Sequence, residues 1–219
     1  NDEVINYRPF VYIMMNKPDG VISATEDKEH KTVIDLLGNN YRTYSLFPVG
    51  RLDIDTEGLL ILTNDGILTH NLLAPNKHVD KKYYVELRDP VTEEAAKKLE
   101  SGIELEGDFV TKNAKVEVIE NSKEPINKKT GERNPSKAYI TISEGKYHQV
   151  KRMFKAVNNK VEYLKRIQMG NLVLDENLKI GEITSQLSFQ RFIELGYFGV
   201  HFPVTCSKAT RAFFSSEAW

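Results

Sequence analysis

Three carboxylates fall within the five residues from Asp53 to Glu57, in the run Phe47-Pro48-Val49-Gly50-Arg51-Leu52-Asp53-Ile54-Asp55-Thr56-Glu57-Gly58. An acid placed directly after a Gly-Arg turn and enclosed by the fold can act as a nucleophile or as a general base. The same acid can also do no more than cap a turn, with Asp55 and Glu57 left in solvent. The order Asp53-Ile54-Asp55-Thr56 offers a further chemistry. A nucleophilic Asp53 and an acid at Asp55 with magnesium between them would make a metal-dependent phosphatase. That site should end a buried parallel strand followed by doubly wound βα units. Gly50 and Arg51 stand there instead, and no such alternation follows.

A second chemical cluster is cationic. From Lys146 to Arg166 there are seven Lys/Arg against one acid, Glu162, with Tyr147 and His148 among them. Basic and aromatic side chains together can hold phosphates and stack on unpaired bases. The plain alternative is a solvated face. From Glu86 to Asp108 the balance reverses, with eight acids against three basic residues. The formal net charge of −1 taken alone would argue against a nucleic-acid partner. Two opposed segments make the distribution the relevant quantity.

Several elements must position these groups. Val11 to Met15 reads as a buried strand entering the turn Asn16-Lys17-Pro18-Asp19-Gly20, and Leu59 to Thr63 as another closed by Asn64-Asp65-Gly66. Val33, Ile34, Leu36 and Leu37 are spaced as on a short helix ending at Gly38. Ile67, Leu68, Leu72 and Leu73 predict a helix stopping near Pro75, and Thr92-Glu93-Glu94-Ala95-Ala96 opens one ending at Gly102. Strands are expected at Tyr83 to Leu87, Ala114 to Ile119, Ala138 to Ser143, Val161 to Ile167 and Leu172 to Leu174, with polar loop from Asn121 to Ser136. Val150, Met153, Phe154 and Val157 form one face of a helix from His148 to Val157, leaving Lys151, Arg152 and Lys155 off it. The fold expected is α+β, with a mixed, largely antiparallel sheet flanked by helices.

The 219 residues are 40% hydrophobic and 28% charged, too apolar for a disordered chain and without the long apolar runs of a membrane protein. The single cysteine, Cys206, excludes an intramolecular disulfide and a cysteine-based zinc site, and with no export signal the expected location is the cytoplasm. From Thr184 to Trp219 the composition turns aromatic and poor in charge, and no chemistry is assigned there.

Gly50-Arg51-Leu52-Asp53 with Thr56-x-Gly58-Leu59-Leu60 and Thr63-Asn64-Asp65-Gly66 closely resembles the catalytic motif of pseudouridine synthases of the RsuA type, which isomerise a uridine in ribosomal RNA. Other segments match in order: Asn16-Lys17-Pro18-x-Gly20-Val21, Lys81-Lys82-Tyr83-Tyr84-Val85, Glu144 to Met153, and Leu164-Lys165-Arg166-Ile167-x-x-Gly170. The resemblance spans about residues 10 to 182. The Asp-x-Asp-x-Thr of haloacid-dehalogenase-type phosphatases accounts for far less of the chain.

The resemblance implies the pseudouridine synthase fold and an activity that needs no cofactor and no metal. It makes Asp53 the essential carboxylate, as nucleophile or as the base of an elimination. Lys151 is the matching cation that opposes the cost of desolvating it. Tyr83 lies against the target base, where it can stack and take part in proton transfer at C5; Tyr84 points to the other face. Arg51 enters the space that a flipped uridine leaves. Lys146, His148, Gln149, Arg152, Lys165 and Arg166 are expected on RNA phosphate or sugar, with Gln149 and Arg166 alternatively holding local structure. The partner implied is ribosomal RNA, small-subunit 16S rRNA, free or in a subunit assembly intermediate; the chain is expected to be a monomer away from membranes. Residues 1–9 are expected to be the linker from a missing N-terminal RNA-binding domain, 10–183 the catalytic domain and 184–219 an atypical tail. A metal-dependent phosphatase using Asp53 and Asp55, and a non-catalytic RNA-binding protein, are the competing readings.

Overall fold

The apolar run from Val11 forms β1 (Tyr12–Lys17), and the run through Leu59-Leu60-Ile61-Leu62 forms β3 (Glu57–Thr63); every residue of both is buried. A strand covered on both faces has no polar side to show, which is why neither run alternates. β4 (Lys81–Leu87) and β8 (Ser136–Ile142) do alternate, with Tyr83, Val85, Leu87, Ala138, Ile140 and Ile142 buried. The computed structural model describes residues 10–74, 77–105, 109–123 and 134–184. The aromatic tail after Thr184, residues 1–9 and most of the expected loop from Asn121 lie outside the described residues.

β2 (Phe47–Pro48), β7 (Lys115–Glu120), β9 (Val161–Met169) and β10 (Leu172–Val173) complete an eight-stranded sheet. Its order is β1-β3-β9-β4-β8-β7, with β2 on β3 and β10 on β9. Among the described residues only the strands β3 and β9 pair in parallel, through Glu57 with Lys165 and Gly58 with Arg166. A separate hairpin joins β5 (Glu104–Leu105) and β6 (Phe109–Val110). With helices α1 (Gly66–Leu73), α2 (Glu93–Ser101) and α3 (Gln149–Ala156), the fold is α+β with a mixed, mostly antiparallel sheet, as the sequence predicts.

One core lies under α2 and α3, where Leu99, Val150, Met153 and Phe154 pack with Tyr83, Val85 and Ile140. A second lies on the opposite face of β1 and β3, where Leu68 and Leu72 of α1 meet Tyr12, Met14, Leu59 and Ile61. The opposite face of β4 and β8 carries half-buried Lys82, Tyr84, Tyr139 and Thr141 in place of an apolar layer.

One expected helix is replaced. Thr32 bridges to Ile22, so the chain enters this segment extended. Asp35 Oδ2 accepts from the Thr32 backbone N–H at 2.8 Å and from its hydroxyl at 2.9 Å, closing a turn where a helix was expected. Gly38 has φ −65°, not the left-handed stop, and precedes a short 3-10 helix at Asn39–Tyr44.

Candidate active site

Asp53 sits on the turn between β2 and β3, closed by the Thr56 N–H donating to the Asp53 carbonyl at 3.0 Å. Gly50 makes the entry with φ +75°, a conformation that costs glycine nothing. The end of β1 and the segment after it then clamp the turn. Lys17 is 0% exposed, and its Nζ donates to the carbonyls of Pro18, Ile54 and Thr56 at 2.9, 3.1 and 2.9 Å. An ammonium has three donors and no acceptor, so these carbonyls satisfy it completely. Burial pushes Lys17 down to about 8, against the opposing pull of Asp19, Asp55, Glu57 and Asp53. Ser23 holds the preceding residue from both sides: its hydroxyl donates to the Leu52 carbonyl and accepts the Leu52 N–H, each at 3.0 Å.

The three clustered carboxylates have different surroundings. Asp53, with 27% of its side chain exposed, faces Lys151 Nζ at 3.4 Å and His148 Nε2 at 3.6 Å. Asp55, at 59%, accepts from the same Lys151 Nζ at 2.5 Å. Burial alone would raise the Asp55 carboxyl, but the hydrogen bond and charge of Lys151 hold it below the usual carboxylate range. Glu57 is buried rather than solvated and accepts from the Tyr163 hydroxyl. The expected pairing of Asp53 with Lys151 is therefore present but shared. Two aspartates turned toward one ammonium are a poor start for a magnesium site. Among the described residues no three His, Cys, Asp or Glu side chains gather to hold a metal ion.

α3 supplies the cationic side. Its apolar face, Val150, Met153 and Phe154, is buried in the core, so Lys151 is turned toward the turn that carries Asp53. His148 precedes the helix at φ +48°, stacked on Tyr147 with ring centroids 3.8 Å apart. Tyr147, 75% exposed, is an aromatic surface beside His148. A cavity of about 70 Å³ remains at the centre, lined by Arg51, Asp53, Tyr83, Lys146, His148 and Leu164. Tyr83 is buried there, while Tyr84 on the opposite face donates to Glu86 at 2.9 Å.

Three residues expected on RNA are placed otherwise. Gln149 is buried, its Oε1 accepting from the Lys146 N–H at 2.9 Å and its Nε2 donating to Glu144 at 2.6 Å. It holds the loop before α3. Arg166 is 2% exposed and donates Nε–H to the Leu59 carbonyl at 2.8 Å, which sets it inside the sheet beyond the reach of a phosphate. Lys165 registers with Tyr84, on the face away from Asp53. Arg152 is half-buried on α3. Sequence reasoning assigned no role to Lys17 and Ser23; the signal available was a lysine closing an otherwise apolar strand.

The family model for RNA pseudouridylate synthase matches residues 11–156. The chain is 51% identical over 180 residues to an uncharacterized RNA pseudouridine synthase of Bacillus subtilis (strain 168), covering 82% of this chain and 71% of the relative. It is 42% identical over 172 residues to the ribosomal small subunit pseudouridine synthase A of Salmonella typhimurium (strain LT2), covering 78% and 68%. A pseudouridylate synthase crystal structure superposes with TM-score 0.73 at 37% identity, covering 85% of this chain and 74% of that one.

Proposed function

Since the chain belongs to the RNA pseudouridylate synthase family, we propose that it isomerises one uridine of small-subunit ribosomal RNA to pseudouridine, with Asp53 as the essential carboxylate. The observation that carries the role of Asp53 is its position: a partly enclosed acid facing the Lys151 ammonium and the His148 ring at the edge of a cavity floored by Tyr83. The relative named a ribosomal small subunit enzyme supports the substrate.

The reaction breaks the bond between uracil N1 and ribose C1′, turns the base, and joins C5 to C1′; the C5 proton leaves and N1 gains one, so nothing is consumed. Asp53 begins this as an anion, either by attacking C1′ or by removing a ribose proton. The Lys151 ammonium offsets the cost of keeping that charge away from water. A base inside an RNA helix must first leave its stack. Arg51, exposed at the cavity mouth, fills the gap left behind, and Tyr83 lies against the flipped uracil. A cavity of about 70 Å³ is well below the roughly 300 Å³ of ordinary ligand sites, so the exposed side chains at its mouth move aside as the base enters. Tyr147, stacked on His148, offers a face for a neighbouring base.

The test is tritium release from ribosomal RNA labelled at uridine C5. Wild-type protein should release tritium from naked small-subunit RNA or from assembled or partly assembled subunits. No release from any of them would overturn the reading, and release by Asp53→Asn would overturn the role of Asp53.

A further inference from the structure

A larger cavity, about 460 Å³, lies on the other face of the sheet and falls within the range of about 300–1,000 Å³ typical of ligand sites. Side chains alternate along β4, so Tyr83 faces the Asp53 cavity and Lys82 faces this one. Gln168 of β9 and Thr141 of β8 register with Lys82, and Lys115 of β7 registers with Thr141; together they form the floor. Lys77 and His78, from the approach to β4, form a wall.

The charge of this cavity suits an anion. Lys77, Lys82 and Lys115 line it with two acids, Asp80 and Glu117. Glu117 already lies between Lys82 at 3.1 Å and Lys115 at 2.9 Å. At the rim, Lys112 Nζ is 2.8 Å from His78 Nδ1. Lysine can only donate there, which leaves Nε2 as the donor of a neutral His78 ring.

One stretch of chain connects the two cavities around the end of the sheet. Lys146, at the mouth of the Asp53 cavity, lies over Phe109 with its Nζ 5.1 Å from the ring. Lys112 donates its backbone N–H to Glu144 at 2.9 Å, and Lys115 enters the second cavity. Six steps of chain from Phe109 to Lys115 reach at most about 20 Å. Cations at 146, 112, 115 and 77 thus mark a track from one face of the sheet to the other.

We propose that the far-face cavity is a second RNA site, holding a phosphodiester-linked nucleotide of the strand whose target uridine enters at Asp53. This rests on the reading of the chain as a uridine isomerase acting on RNA. A free mononucleotide would need the cavity alone, whereas lysines spaced from Lys146 to the second cavity are useful only to a polyanion long enough to reach both.

The experiment compares the full chain with a Lys77→Gln/Lys115→Gln variant and with Lys97→Gln, an exposed lysine of α2 that lines neither cavity. Both lysines of the double variant are exposed, and an unchanged melting temperature checks that it is folded. In tritium release the double variant should raise KM about fivefold or more with kcat unchanged. The slope of log KM against log salt should fall by about 1.4, the loss of two contacts to a single strand. Lys97→Gln should change neither. Wild-type turnover with an unaltered KM and salt slope in the double variant would overturn the second site. Ribosomal RNA affinity by fluorescence anisotropy gives the same comparison without turnover, so absence of tritium release defeats the isomerase reading alone. Binding of uridine monophosphate that depends on Lys77 and Lys115, with RNA affinity unmoved, would also overturn the proposal in favour of a free nucleotide.

Discussion

Lys151 divides one ammonium between two carboxylates, with Nζ 2.5 Å from Asp55 Oδ1 and 3.4 Å from Asp53 Oδ2. Asp55 is the more exposed of the two, so its share of the interaction is the one that water and salt weaken. Asp53 is the better enclosed, and it has His148 as a second neighbour. Asp55 therefore holds Lys151 at the edge of the site without itself lining the cavity.

Neutralising each acid should separate the roles. Asp55→Asn leaves Lys151 to Asp53 alone, and kcat for tritium release should stay within about threefold of wild type, less than 1 kcal/mol. Asp53→Asn should lower kcat by at least about 10³-fold, roughly 4 kcal/mol of transition-state stabilisation. Equal losses in the two variants would show that both carboxylates act on the substrate, as a phosphatase would require.

Lys17 is the residue on which the shape of the Asp53 turn depends. Lys17→Met keeps much of the aliphatic stem but leaves the Ile54 and Thr56 carbonyls without their partner, at a cost of about 2–4 kcal/mol in denaturant unfolding. The pH dependence has a definite sign. With the folded pKa near 8 and the ordinary value 10.5, the unfolded chain binds more protons between those limits. The stability difference between wild type and Lys17→Met should therefore grow as pH rises through that window. A difference that shrinks there would mean that the carbonyl cage keeps the ammonium charged.

Arg166 stands beneath the site, on β9 beside Tyr83 in register. Arg166→Leu removes the donor to the Leu59 carbonyl and the bulk of a fully enclosed side chain, and should cost about 2–4 kcal/mol of stability. In the fraction that stays folded, KM for RNA should change less than twofold. A raised KM with unaltered melting would restore the direct RNA contact that its burial contradicts.

These cases show which features could be read from the chain. β1, β3, β4 and β8 follow from apolar runs and period-two alternation, because burial on two faces or on one leaves a direct mark on sequence. The helix expected over Val33, Ile34, Leu36 and Leu37 is a turn instead, because apolar spacing carries no sign of the Ile22 bridge and the Asp35 hydrogen bonds that fix Thr32 just before it. The nearness of Asp53, Tyr83 and Lys151 could be anticipated from motif order: Asp53 and Tyr83 line one cavity, and Lys151 Nζ lies 3.4 Å from Asp53. Gln149 and Arg166 are polar residues whose partners are a nearby loop and a backbone carbonyl, and polarity alone does not separate such roles from RNA contact. The division of Lys151 between two acids depends on ångström-scale placement, which no spacing rule records.

The parallel junction of β3 and β9 gives the most local test of the architecture under the site. Gly58 has φ +101°, and a Cβ there would stand 2.2 Å from the Arg166 carbonyl oxygen and 2.9 Å from its nitrogen. Backbone atoms of a central sheet cannot yield as a side-chain tip can. Gly58→Ala should therefore cost about 3 kcal/mol or more and shift the start of β3, with activity falling even in the folded fraction because the Asp53 turn leads directly into that strand. Gly66, the first residue of α1, has no atom within 4 Å of its own added Cβ and no positive φ. Gly66→Ala should be neutral or stabilising by up to about 1 kcal/mol. Denaturant midpoints of the two variants check the pair: equal midpoints would mean that β3 and β9 do not approach as closely at Gly58 as the sheet requires.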